Sequence, residues 1–141
     1  MTNQVNDSDT CRYELADGFH QITLMDGTTR TFDQFLEMMA YLYGITPEGE
    51  RLNVLLDLRQ SGFPPLQYAF QTAQSFFARH RNRPVTRFAF LHGPTTLAAL
   101  AKSFFGLLRL RDEGRFFALE ETEQAKAWLI RADATHGIGT N

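Results

Sequence analysis

The chain of 141 residues holds a single cysteine, Cys11. That excludes an internal disulfide framework and a cysteine-rich metal knuckle. No Gly-x-Gly-x-x-Gly and no P-loop pattern occurs, so the common phosphate cradles of nucleotide-binding proteins are missing. No apolar run approaches the roughly 18–20 residues of a membrane span. The first 25 residues lack a basic-then-apolar leader pattern, and a cytoplasmic protein with no membrane partner is expected. His20, His80, His92 and His136 are too scattered in sequence for three or four convergent zinc ligands. Neither a metal nor a cofactor is expected.

What is present is a foldable chain. Apolar residues make up 43% and the net charge is only -2, which excludes disorder of the whole. The length suits one domain. Polar, aperiodic ends set the expected bounds: a disordered tail over 1–11, one α/β domain over 12–133, and a flexible tail over 134–141.

Charge is uneven along the chain. Residues 1–57 carry three arginines against ten acids, and residues 79–115 carry eight cations against two acids. The split permits a basic face for an acidic partner, or two halves that neutralise each other within the fold. Nucleic acid is not expected, because the isoelectric point is near 6.1 and nucleic-acid-binding domains are usually basic overall. The densest basic run is Arg79-His80-Arg81-Asn82-Arg83. Arg79, Arg81 and Arg83 are thus candidates for a basic patch, although cations also suit the end of a helix there.

Strand-like and helix-like segments alternate. Arg12–Leu15 and Phe19–Met25 flank Asp17-Gly18, a strong hairpin signal. Apolar positions at 3.6-residue spacing predict helices over about 32–43, from Leu66 to His80, from Pro94 to Leu108, and from Ala125 to Ala132. Leu52–Leu56 is apolar throughout and suits a central parallel strand ending at Asp57. Strands are also predicted at 86–91 and 114–117. The order ββαβαβαβα implies a five-stranded, mainly parallel sheet with one antiparallel edge strand and helices on both faces.

The hairpin YELADGFHQITL, the strand LNVLLDL, the strand VTRFAFLHG and the ending FFALEETEQAKAWLI carry a resemblance. From about Tyr13 to Ala132 the chain resembles a SpoIIAA-like domain. This β-α superhelix is shared by STAS anti-sigma-factor antagonists and, more distantly, by Sec14-type lipid-binding domains. STAS antagonists carry an Asp-Ser-Ser-Gly stretch whose serine a partner kinase phosphorylates. Here the matching turn reads Asp57-Leu58-Arg59-Gln60-Ser61-Gly62-Phe63, with one Ser-Gly and no Asp-Ser pair. The resemblance implies the fold, and it places a regulatory contact at this turn.

Sites in parallel α/β sheets form at the carboxyl ends of the strands. That edge is expected to gather Asp57, Arg59, Ser61 and Phe63 after one strand and His92 after the next. Leu58-Arg59-Gln60-Ser61-Gly62 lacks the tight elbow of a serine hydrolase, so no catalytic residue is assigned and no enzyme is expected. The expected role is a non-catalytic regulatory module that binds a regulatory protein or its own copy. The Phe-rich second helix (Phe70, Phe77) and third helix (Phe104, Phe105, Leu108) offer surfaces for a homodimer. The alternative is an apolar small-molecule or lipid binder with a Sec14-like pocket near Met38 and Met39.

Overall fold

Asp17 and Gly18 turn the chain between β1 (Cys11–Ala16) and β2 (Phe19–Leu24). The computed structural model describes residues 10–59, 64–93, 99, 102, 103, 106 and 112–132. Gly18 takes a φ of +85°, a left-handed conformation that glycine adopts without a Cβ clash. The strands pair antiparallel in unbroken register, from Cys11 opposite Leu24 to Ala16 opposite Phe19. Cys11, the last residue of the tail expected over 1–11, belongs to the sheet. Cys11 opens β1 and is fully buried, its thiol 3.6 Å from the Met38 sulfur. The strand face that meets the first helix needs a small apolar group there, and a thiol serves.

The first helix, α1 (Thr29–Ile45), starts three residues before the expected position. Its cap explains the difference. Thr28 accepts from the Thr31 amide at 3.2 Å, and Asp26 accepts from the Thr28 and Thr31 hydroxyls at 2.8 and 2.7 Å. These bonds hold the Asp26 carboxyl below the usual carboxylate range and satisfy donors that a helix start otherwise leaves open.

Next come β3 (Leu52–Asp57), α2 (Leu66–Arg79), β4 (Thr86–His92), β5 (Glu113–Ala118), a single 3-10 turn (Leu119–Glu121) and α3 (Thr122–Ile130). The helix expected from Pro94 lies mostly outside the described residues. Ala99, Lys102, Ser103 and Gly106 are helical and exposed.

The five strands stand in chain order across the sheet. β2 to β5 are parallel, and β1 is the antiparallel edge. Right-handed crossovers that all step the same way put their helices on one face. Accordingly, α1 and α2 pack there over Ile22, Val54, Leu56, Phe88 and Phe90. Past β5 the chain turns back, and α3 covers the other face with Trp128 and Leu129 over Leu55, Ala89, Leu91 and Phe117. Phe116 and Phe117 thus face opposite layers, as neighbours on a strand must.

Two arginines fasten α3. Arg87 donates to the Trp128 carbonyl at 2.8 Å, and Arg51 donates to the Leu129 and Arg131 carbonyls at 3.0 and 2.8 Å. The carbonyls that a helix end leaves open are thereby satisfied by charge-assisted donors.

Candidate functional site

Asp57 ends β3 on the α3 side of the sheet, in register with Thr23 and Leu91. A carboxylate at the end of a buried apolar strand must be bonded or solvated. Here it is bonded. The Arg59 amide donates to Oδ1 at 3.0 Å, Arg59 Nε to Oδ1 at 2.9 Å, and Arg59 Nη2 to Oδ2 at 2.6 Å. The Asp57 side chain is 4% exposed and that of Arg59 is 32% exposed. Bonding to Asp57 raises the Arg59 pKa above its already high ordinary value.

The clamp sits against the end of β4. The Leu58 amide donates to the Leu91 carbonyl at 2.8 Å. A Cβ on Gly93 would stand 3.4 Å from the Arg59 carbonyl oxygen, so a bare backbone suits the close approach of the two loops. His92 is half-buried, with Nδ1 3.3 Å from the Gly93 carbonyl oxygen. The carboxyl edge therefore brings together Asp57, Arg59, His92 and Gly93. Ser61 and Phe63 lie outside the described residues.

The basic candidates lie at the opposite, amino-terminal edge of the sheet, where α2 ends before β4. Arg79 and Arg81 are exposed there, beside an open cleft of about 570 Å³ walled partly by Tyr43 and Gly44. Arg83 does not join them at the surface. Its guanidinium is taken up by Asp112, with Nη2 2.9 Å from Oδ2, and it lies over the Phe77 ring at 4.7 Å. Asp112 stands just before β5 and meets the turn that precedes Pro84. Arg87 likewise pairs with Glu113 at 2.9 Å. Both acids of the basic segment are thus consumed within that segment. His80 packs on Phe76 at 4.4 Å between ring centroids, and its pKa is lowered by burial and by Arg79 and Arg83.

Sequence reasoning missed a pair on the hairpin. The Tyr13 hydroxyl and His20 Nδ1 are 2.7 Å apart, and burial lowers the His20 pKa. The signal was available, since Tyr13 and His20 stand seven residues apart across a two-residue turn.

A family model described as SpoIIAA-like matches residues 22–130. Among solved structures, the chain is similar to an uncharacterized protein of the DUF3478 family with a SpoIIAA-like fold, from Shewanella loihica PV-4. The likeness has a TM-score of 0.56 at 20% identity and covers 84% of this chain and 91% of that one. No curated protein matches. The strand order, the single antiparallel edge and the extent of the match lead to one statement: the chain belongs to the SpoIIAA-like family.

Proposed function

We propose that this chain is a non-catalytic regulatory module that acts through protein contacts at the carboxyl edge of its sheet, around Arg59, Ser61 and Phe63. The observation that carries the reading is the Asp57–Arg59 clamp. Asp57 spends both oxygens on Arg59, and no bond links it to His92 among the described residues. An acid so engaged supports a shape-setting role over that of a base or an orienting group. Arg59, one-third exposed, presents a charged, planar donor fork held by a buried partner, which suits a carboxylate on another protein. The STAS resemblance supports a regulatory contact at the same turn. A cytoplasmic setting belongs to this reading, in keeping with a single, buried cysteine. No helix among the described residues is long and apolar enough to cross a membrane. The apolar-ligand alternative calls for an enclosed cavity, whereas the clefts walled by described residues are open to solvent.

Site-specific photo-crosslinking in the host cell tests the proposal. A crosslinker at position 59 or 63 is expected to give a discrete protein adduct, and one at the exposed Gln71 of α2 is expected to give none. With a crosslinker at 63, Arg59→Glu is expected to reduce the adduct at least about tenfold, the scale of an interface anchor. Equal labelling at all three positions overturns the reading. So does turnover of an ester or phosphate substrate that is lost in both Ser61→Ala and His92→Ala.

A further inference from the structure

On the side away from the hairpin the sheet ends at β5. Among the described residues it pairs only with β4, in unbroken register from Glu113 opposite Arg87 to Ala118 opposite His92. An edge strand presents outward N–H and C=O groups, and proteins commonly close such an edge with lysine, proline or a bulge. β5 reads Glu-Gly-Arg-Phe-Phe-Ala and has none of these. The Ala118 amide is taken by Glu121 at 2.8 Å. Among the described residues no other bond outside the β4 ladder reaches the β5 backbone. Gly114 leaves one position of the strand without a side chain, which suits the close approach of another backbone.

A cation flanks this edge on each face. Arg115 shares the α3 side with Phe117, whereas Phe116 faces the layer of α1 and α2. The Arg115 guanidinium lies 5.3 Å from the centre of the Phe117 ring and 5.5 Å from that of Trp128, and the Lys102 ammonium lies 5.9 Å from that of Phe116. Both cations are exposed. Contact with a ring positions a cation while leaving its N–H donors unspent. The acids next to Arg115 in sequence are already engaged, Asp112 by Arg83 and Glu113 by Arg87. Among the described residues no carboxylate pairs with Arg115 or Lys102.

We propose that β5 takes up an extended acidic segment of a partner protein as a further strand, with two consecutive carboxylate residues opposite Arg115 and Phe116. Successive side chains of a strand point to opposite faces. One acid therefore reaches Arg115 on the α3 side, and its neighbour reaches Lys102 over Phe116 on the other. Either strand direction satisfies this. Two acids separated by one residue share a face and meet only one of the cations. Main-chain bonds supply the grip and the paired cations supply the selection. A second copy of this chain is the poorer occupant, because its own Glu113 is committed to Arg87. The surface uses none of Asp57, Arg59 or His92, and it stands apart from the function proposed above.

Fluorescence anisotropy of the full chain with labelled peptides at low salt tests the proposal. The probes are Thr-Val-Thr-Glu-Glu-Thr-Val-Thr, Thr-Val-Glu-Thr-Glu-Thr-Val-Thr and Thr-Val-Thr-Lys-Lys-Thr-Val-Thr. The adjacent-acid peptide is expected to bind about tenfold or more tighter than the other two, the scale of exchanging attractive for missing or repulsive cross-strand pairs. Arg115→Glu and Lys102→Glu are each expected to weaken it about tenfold. A peptide with Glu-Lys or Lys-Glu at its centre is expected to restore binding to Arg115→Glu. Arg115→Gln replaces the reversal if that variant fails to fold, with a loss of about threefold or more expected. N-methylating alternate peptide amides is expected to abolish binding in one of the two alternations, as main-chain pairing requires. Failure of the adjacent-acid peptide to bind overturns the proposal. So does equal binding of all three peptides, indifference to the substitutions at 115 and 102, a rescue that fails, or binding that both N-methylated peptides retain. Loss of binding with Arg59→Glu alone also overturns it and moves the acidic partner to the carboxyl edge.

Discussion

Arg83 reaches across 29 residues to Asp112, and two of its guanidinium nitrogens hold one carboxylate oxygen at 3.1 and 2.9 Å in a site nearly sealed from water. Arg83 also donates to the His80 carbonyl at 2.9 Å. The pair thereby ties the turn after α2 to the entry of β5. Removing one partner leaves a buried charge uncompensated. Asp112→Ala is expected to cost about 3–5 kcal/mol, read from denaturant midpoints. Replacing both residues by apolar ones of similar volume is expected to cost far less. Equal losses in the single and double variants would contradict this account.

Gly18 is doubly constrained. Its φ is +85°, and a Cβ there would stand 2.8 Å from Ile130 Cγ2. Gly18→Ala is expected to destabilise by about 1–2 kcal/mol from the left-handed backbone alone, with the contact adding to it. Ile130→Ala in the same chain should recover the contact part and leave the backbone part. Thermal melts of the four combinations check the coupling.

Two histidines set a pH dependence. Burial lowers the pKa of His20, and burial with the neighbouring Arg79 and Arg83 lowers that of His80. A histidine whose folded pKa lies below its unfolded value binds its proton more weakly in the fold. Its contribution is complete above the unfolded value of about 6.5 and is lost as pH falls through the folded value. Urea midpoints are therefore expected to fall on acidification below about pH 6.5. The double variant His20→Gln with His80→Gln should flatten that slope. An unchanged slope would assign the acid loss to the carboxylates.

The Asp57 clamp gives a fourth prediction. Asp57→Asn keeps one acceptor oxygen and loses the charge that Arg59 grips. A loss of about 1–3 kcal/mol is expected. Hydrogen exchange at the Arg59 amide should quicken, because that amide donates to Asp57.

Much of the architecture was legible because periodicity and burial agree. Leu52–Leu56 lies between two strands with both faces covered, and the Asp17-Gly18 pair turns a hairpin. Helix starts were less legible. The onset of α1 depends on Asp26 reaching the Thr28 and Thr31 hydroxyls, a polar network with no apolar period to mark it. The fate of the basic run was also hidden. Whether Arg83 faces water or Asp112 depends on how β5 comes to lie beside β4, and spacing along the chain carries no such information. At the carboxyl edge, topology brought Asp57 and His92 to neighbouring strand ends as expected. The grip of Arg59 on Asp57 needed side-chain geometry.

Because the strands stand in chain order, each new strand can dock on the one just made, and α1 and α2 roof the same side. The reverse side has no such running cover. Among the described residues, Leu55, Ala89, Leu91 and Phe117 gain theirs only from α3. A nascent chain halted before residue 122 would hold a half-finished molecule: α1 and α2 in place on one face, and Leu55, Ala89, Leu91 and Phe117 still without α3 on the other. For this protein the vulnerable interval in folding is thus set by when Trp128 and Leu129 become available, and a chaperone would find its target on that one face.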